Sequence, residues 1–240
     1  MLPSGSDGLP RSEGKLIRVG LVCSAGGSVV GAAMDILRAQ GYLVSMAMVT
    51  DRPCGAETLA QAFGIPHRRI AFDSREQFSR DAASWLYDEQ CVSATCLFFG
   101  RLVSRELFGR GSCFNFHPAL LPAFIGMKGL ERSATSGARF FGATVHGVDE
   151  TMDGGPIVGQ MVSPVPSPVD LTVMQRISFA QKLYLFLVLA ERLAQGGGDH
   201  APHVATPGGR GHLASPGLSS AGLERAFVAY VNEAGIPWEI

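Results

Sequence analysis

The sequence predicts an α/β fold, a mostly parallel sheet with helices on both faces and an antiparallel addition. Short β-branched runs alternate with helix-like stretches through the first half of the chain, the pattern of βαβ units. The first of these, Leu16–Cys23, passes through the Gly-rich turn Ser24–Ser28 straight into a helical stretch, Val29–Gln40. Later, Phe140–Val148 and Pro156–Val162 read as two strands joined by the acidic, Gly-rich turn Asp149–Gly155, a connection that suits an antiparallel pair.

The intervening elements follow in order. Leu43–Val49 is a second strand, and Ala56–Phe63 a short helix closed by Gly64 and Pro66. Asp73-Ser74-Arg75-Glu76 resembles a capping box, and Phe78, Ala82, Trp85 and Leu86 then recur at helical spacing. Ala94–Phe99 and Cys113–Phe116 are strands, the second running into His117-Pro118. Thr172–Gln175 offers another capping box, opening a long helix that ends near Gln195 at Gly196-Gly197-Gly198. This places a polar leader at 1–15, one domain at 16–195, and a Gly/Pro-rich linker with a short helix at 196–240. Leu223–Glu233 would form that helix, with Trp238 as its anchor.

Composition narrows the functional classes. Hydrophobic residues make up 46% and charged residues 17% of 240, enough apolar side chain to build a core. A net charge of −1 gives no basis for a nucleic-acid or membrane-surface partner. The longest apolar run, Leu183–Ala190, falls well short of the roughly 20 residues of a membrane span, and the leader lacks the apolar stretch of a signal peptide. The five cysteines form no CxxC pair, which argues against zinc and against a disulfide framework, and an odd count fits a reducing cytoplasm. The oligomeric state is not legible.

Three segments can carry chemistry. In Asn115-Phe116-His117-Pro118, strand alternation puts Asn115 and His117 on one side, and Pro118 confines the pair to the strand's C-terminal end, where open α/β sheets bind ligands. An amide and an imidazole projecting together there suit the stabilisation of a developing oxyanion. Asp149, Glu150 and Asp153 lie in one turn, and any of them could reach His117; spacing alone does not choose. His146 alternates with apolar neighbours and reads as a strand histidine. The turn Ser24–Ser28 opens a helix whose first N–H groups favour an anion, yet it is neither a dinucleotide fingerprint nor a P-loop.

Asn115–Pro122 (NFHPALLP) taken with Gly142–Gln160 (GATVHGVDETMDGGPIVGQ) resembles the folate-dependent formyltransferases, above all the branch acting on glycinamide ribonucleotide. The resemblance runs from about Ile17 to Gln195. It implies a Rossmann-like formyltransferase fold, 10-formyltetrahydrofolate as co-substrate and a primary amine as acceptor; no metal is expected, because no His/Cys/Asp cluster in the sequence has ligand spacing. It also implies roles. Asn115 would bond the formyl oxygen, His117 would stabilise the oxyanion or relay the proton, and Asp153 would pair with His117 and keep it charged. Arg101, Leu102, Val103, Val148, Asp149 and Glu150 would line the folate pocket. Gly26, Gly27 and Ser28 would hold an acceptor phosphate, with Lys128 on the opposite wall and Gln181 near the acceptor.

The acceptor-facing segments depart from the family pattern. The phosphate loop, G-N-G-S-N in the family, is Ala25-Gly26-Gly27-Ser28-Val29 here, and P-G-L-H-x-H becomes Ile125–Leu130. The acceptor therefore stays open between glycinamide ribonucleotide and another amine, such as an amino sugar nucleotide. Hydrolysis of the donor and folate binding without turnover are the alternatives outside amine formylation.

Overall fold

A computed structural model describes residues 16–195, 206–207 and 211–238. Five strands and their crossovers build the parallel half: β1 (Ile17–Cys23), α1 (Ser28–Ala39), β2 (Val44–Thr50), α2 (Gly55–Phe63), β3 (His67–Arg69), α3 (Arg75–Ala83), β4 (Ala94–Phe98), α4 (Arg105–Phe108) and β5 (Ser112–His117). After α5 (Gly129–Thr135), β6 (Phe140–Gly147) and β7 (Ile157–Pro164) form an antiparallel hairpin. The long helix α6 (Leu171–Ala194), short strands β8 (Thr206–Pro207) and β9 (Leu213–Ser215), and α7 (Ala221–Glu233) complete the chain.

The sheet order is β3-β2-β1-β4-β5-β6-β7-β9-β8, with β1 to β5 parallel and β5 onward antiparallel. From β1 the chain moves out to β2 and β3, then returns to place β4 on the other side of β1. That reversal is a topological switch point, and it opens a crevice at the C-terminal ends of β1 and β4.

Strand alternation divides the core into two layers. Met46 and Met48 of β2 face one cluster, built with α1, α6 and α7, while Ala47 and Val49 face another, built with α3 and α4. The α6 helix is long and apolar enough to cross a membrane by length and composition, but 72% of that stretch is buried within the protein, so it acts as the core helix. Leu183, Leu185 and Leu187 are wholly buried on it.

Several expectations shift in detail. The cap of α3 is Ser74, whose hydroxyl accepts from the Gln77 amide at 3.1 Å, one residue later than the Asp73 reading. The α6 cap is Asp170, which accepts from Thr172 and Val173, two residues before the predicted box. A π-helical turn, Ser84–Glu89, continues α3. The segment expected to be linker ahead of the C-terminal helix contains β9, paired to β7 through Met161 and Ala214, so part of it belongs to the sheet. The leader and most of 196–210 lie outside the described residues. The C-terminal helix docks as expected: Trp238 is buried, stacked on His212 at 4.0 Å and edge-on to Phe227.

Candidate active site

Strand β5 carries its apolar residues, Phe114 and Phe116, into the core shared with α6, where Phe116 stacks on Phe98 at 4.8 Å. Asn115 and His117 take the opposite face and line a cleft of about 490 Å³. Antiparallel pairing with β6 sets His146 directly across from Asn115 and Thr144 across from His117.

The β6–β7 turn supplies the carboxylate. Asp153 holds φ 51, in the left-handed region that Asp tolerates better than most residues. The turn closes so tightly that a Cβ on Gly155 would lie 2.0 Å from the Gly147 carbonyl oxygen. Of the three carboxylates, the one brought to the histidine is Asp153: its Oδ2 lies 3.3 Å from His117 Nδ1 and accepts the Gly126 amide at 2.8 Å. Its Oδ1 faces Asn115 Nδ2 at 3.4 Å and His146 Nε2 at 3.6 Å.

Hydrogen-bond partners assign the protons on these rings. The Gly147 carbonyl lies 2.8 Å from His146 Nδ1 and takes its proton, so His146 Nε2 accepts from Asn115 Nδ2 at 3.1 Å. His117 Nε2 donates to the Phe124 carbonyl at 3.0 Å. Phe124 sits in the loop after β5, where Phe124, Gly126 and Lys128 all have positive φ. That strained backbone reaches His117 with a carbonyl and Asp153 with an amide.

The His146 ring when it carries a proton on Nε2, the Gly126 amide and the charge of a protonated His117 hold the Asp153 carboxyl down at about 2, against its partial burial. Burial, however, pushes the His117 imidazole below its ordinary value, and the pull of Asp153 and of the Phe124 carbonyl does not restore it. This corrects the expectation that Asp153 keeps His117 charged. At neutral pH the unliganded site holds a carboxylate beside a neutral imidazole, an arrangement that accepts a proton.

On the far side of the cleft, α1 begins at Gly27, with φ 70, no side-chain cap and no acidic residue in its first turn. The first turn borders the cleft, and among the described residues no side chain caps it. Arg101 lies over the Phe72 ring at 4.5 Å, with Nε 3.4 Å from the buried carboxylate of Asp51.

Most residues expected at the site do line this cleft: Gly26, Gly27, Ser28, Arg101, Leu102, Val103, Asn115, His117, Lys128, Val148, Asp149 and Asp153. Two do not. Glu150 lies outside it, exposed and 4.0 Å from Arg105. Gln181 is wholly buried and donates to Ser163 Oγ at 2.7 Å, so it cannot meet an acceptor. Its neighbour Lys182 lines the cleft instead. His146 is the other residue the sequence reading passed over, and pairing the two strands in register would have found it opposite Asn115. Among the described residues no group of three or more His, Cys, Asp or Glu side chains is placed to hold a metal ion.

Residues 17–189 match the formyl transferase family model. The chain is 34% identical over 177 residues to the trifunctional purine biosynthetic protein adenosine-3 of Drosophila pseudoobscura pseudoobscura, covering 68% of this chain but only 13% of that protein. It is 29% identical over 191 residues to the phosphoribosylglycinamide formyltransferase of Mycobacterium tuberculosis, covering 75% of this chain and 86% of that one. Among solved structures, glycinamide ribonucleotide transformylase 1 from Symbiobacterium toebii superposes with a TM-score of 0.70 at 26% identity, over 75% of this chain and 89% of the other. Phosphoribosylglycinamide formyltransferase from Brucella melitensis does so at 0.67 and 28%, over 78% and 100%. Fold and site therefore define an α/β transferase with its polar cluster at the sheet's C-terminal edge. The chain belongs to the formyl transferase family.

Proposed function

We propose that the protein transfers the formyl group of 10-formyltetrahydrofolate to a primary amine, with glycinamide ribonucleotide as the acceptor its relatives' names indicate. The observation that carries this reading is the convergence of Asn115, His117 and Asp153 beside one cleft. The amine nitrogen attacks the formyl carbon, and the carbonyl oxygen gains charge. Asn115 Nδ2 has two protons; one is held firmly by His146 at 3.1 Å, and the other, 3.4 Å from Asp153, is free to turn to that oxygen. A donor so placed is worth about 10²–10³ in rate.

As the new C–N bond forms, the nitrogen must lose a proton, and the neutral His117 beside the Asp153 carboxylate receives it, directly or through water. The C–N10 bond then breaks and the proton goes to N10, leaving tetrahydrofolate and the formamide. Asp153 stabilises the imidazolium that forms transiently in this step. The folate would lie along Arg101–Val103 and Val148–Asp149, the acceptor between Gly26–Ser28 and Lys128. We further propose that the protein works in a reducing compartment such as the cytoplasm; its five unpaired cysteines, three of them buried, support that placement.

The test is an acceptor screen with purified protein, 10-formyltetrahydrofolate and a panel of amines that includes glycinamide ribonucleotide, read by release of tetrahydrofolate. Amine-dependent release is expected. Release that no amine accelerates would overturn the reading in favour of hydrolysis.

A further inference from the structure

The loop that follows β5 delivers a backbone contact to each member of the His117–Asp153 pair, and side chains of the next two strands hold it in place. Phe124 offers its carbonyl to His117 Nε2 at 3.0 Å, and Gly126 its amide to Asp153 Oδ2 at 2.8 Å. Phe124 and Lys128 take φ 57 and 58, a left-handed path that costs free energy and persists only where the surroundings impose it. From outside, Arg132 of α5 donates to the Ile125 carbonyl at 2.6 Å. From inside, the anchor is Thr144 of β6 together with Gln160 of β7, which face each other in register across the hairpin.

Thr144 is wholly buried and its hydroxyl is fully used. It donates to the Ala119 carbonyl at 2.8 Å, and it accepts from the Leu121 amide at 3.1 Å and from Gln160 Nε2 at 3.0 Å. The other proton of Gln160 Nε2 goes to the Leu121 carbonyl at 2.8 Å. The start of the loop is thus tied to the sheet through the Ala119 carbonyl and both backbone groups of Leu121. Neither Thr144 nor Gln160 lines the cleft, so neither meets a substrate there. What the loop decides is which nitrogen of His117 is open. With the Nε2 proton given to Phe124, the neutral ring presents its Nδ1 lone pair, 3.3 Å from Asp153 Oδ2, as the atom that takes up a proton. If that carbonyl is withdrawn, the ring proton can move to Nδ1 and bond Asp153, and Nδ1 then accepts no other.

We propose that Gln160, acting with Thr144, is a positioning residue for the transfer reaction: by fixing the loop after β5 it places the Phe124 carbonyl that keeps Nδ1 of His117 open to a proton. This rests on the reading of His117 as the proton acceptor. The charged or titratable groups that act on His117 are Asp153, His146 and Arg132. Gln160 is uncharged, so a neutral replacement there reaches His117 through the loop and not through charge.

Gln160→Leu and Thr144→Val remove the anchor, and Thr144→Ser keeps its hydroxyl. Nitrogen-15 NMR of the histidine rings in the full-length protein, with His117→Gln to assign the signal, reads the tautomer of His117. Steady-state kinetics with 10-formyltetrahydrofolate and an accepted amine read its consequence. The unaltered protein should carry the neutral ring's proton on Nε2. In Gln160→Leu a form with the proton on Nδ1 should appear, and kcat should fall about tenfold with both KM values little changed. Thr144→Val should do the same and Thr144→Ser should restore both readouts. Should Thr144→Val not fold, Gln160→Leu, at a half-buried position, carries the test. A folded Gln160→Leu with unaltered tautomer and kcat overturns the inference, as does a fall in kcat with the tautomer unmoved. Because the NMR readout needs no turnover, a tautomer shift in a protein that transfers no formyl group would sink the proposed function and leave the hold of Gln160 on His117 standing.

Discussion

Asn115 and His146 stand directly opposite each other across β5 and β6, with Asn115 Nδ2 3.1 Å from His146 Nε2. His146 is oriented in turn by the Gly147 carbonyl, so the amide inherits its direction from the sheet. The strand register thus fixes which Asn115 proton is spent internally and which remains for a substrate. His146 acts through Asn115 as a positioning residue. His146→Ala should lower kcat about tenfold with little change in either KM, while Asn115→Leu, which removes both donors, should cost about 10²–10³. Steady-state kinetics on the two variants separate these effects.

Asp153→Asn keeps the volume and can still accept the Gly126 amide, so the turn should fold normally. The negative charge beside His117 is lost, and formyl transfer should fall by about 10²–10⁴. Single-turnover rates near those of the unaltered protein would remove Asp153 from the mechanism.

The depressed His117 value has a signed consequence for pH. The competent form is neutral, so kcat/KM should fall as pH drops through a midpoint below about 6.5, the ordinary histidine value. Asp153 pulls that midpoint upward, so the residual activity of Asp153→Asn should show it at still lower pH. Stability follows the same direction. Between about 6.5 and the folded value the unfolded chain binds more protons at His117, so stability is lost as pH falls through that window. His212, also lowered by burial, adds an effect of the same sign. Asp153 contributes stability above its ordinary 3.8 that disappears as pH falls toward about 2. Urea titrations from pH 7.5 to 4.5, with His117→Gln as the comparison, resolve the His117 share.

Gly27 opens α1 at φ 70, with Ala56 Cβ 3.2 Å from where its own Cβ would stand. Gly27→Ala should therefore destabilise by about 1–3 kcal/mol, strain of the left-handed backbone that the crowding compounds. A lower urea midpoint at unchanged slope checks this. The C-terminal anchor predicts a larger loss: Trp238→Ala removes a ring packed on His212 and Phe227, at a cost of about 3–5 kcal/mol.

Much of this site was legible because period-two alternation and one proline are local signals. They put Asn115 and His117 on one face at a strand end without any knowledge of the fold. The choice of Asp153 among three acids was not local, since it depends on the left-handed backbone at that residue and on the Gly126 amide. Lys182 was hidden by its helix: α6 is buried on nearly every side, so no apolar stripe marks which residue meets the cleft. The caps slipped by one and two residues because Asp73 and Ser74, or Asp170 and Thr172, offer the same chemistry, and only backbone geometry selects between them. Strand β9 was read as linker because Gly and Pro crowd its flanks, while its register comes from β7, far away in sequence.

The fate of the formyl carbon tests the central claim most directly. With carbon-13 in the formyl group of 10-formyltetrahydrofolate and an accepted amine present, NMR should show the label moving to a formamide, one per tetrahydrofolate released, with formate absent. Label appearing as formate, or remaining on a donor that binds but never turns over, would contradict the account.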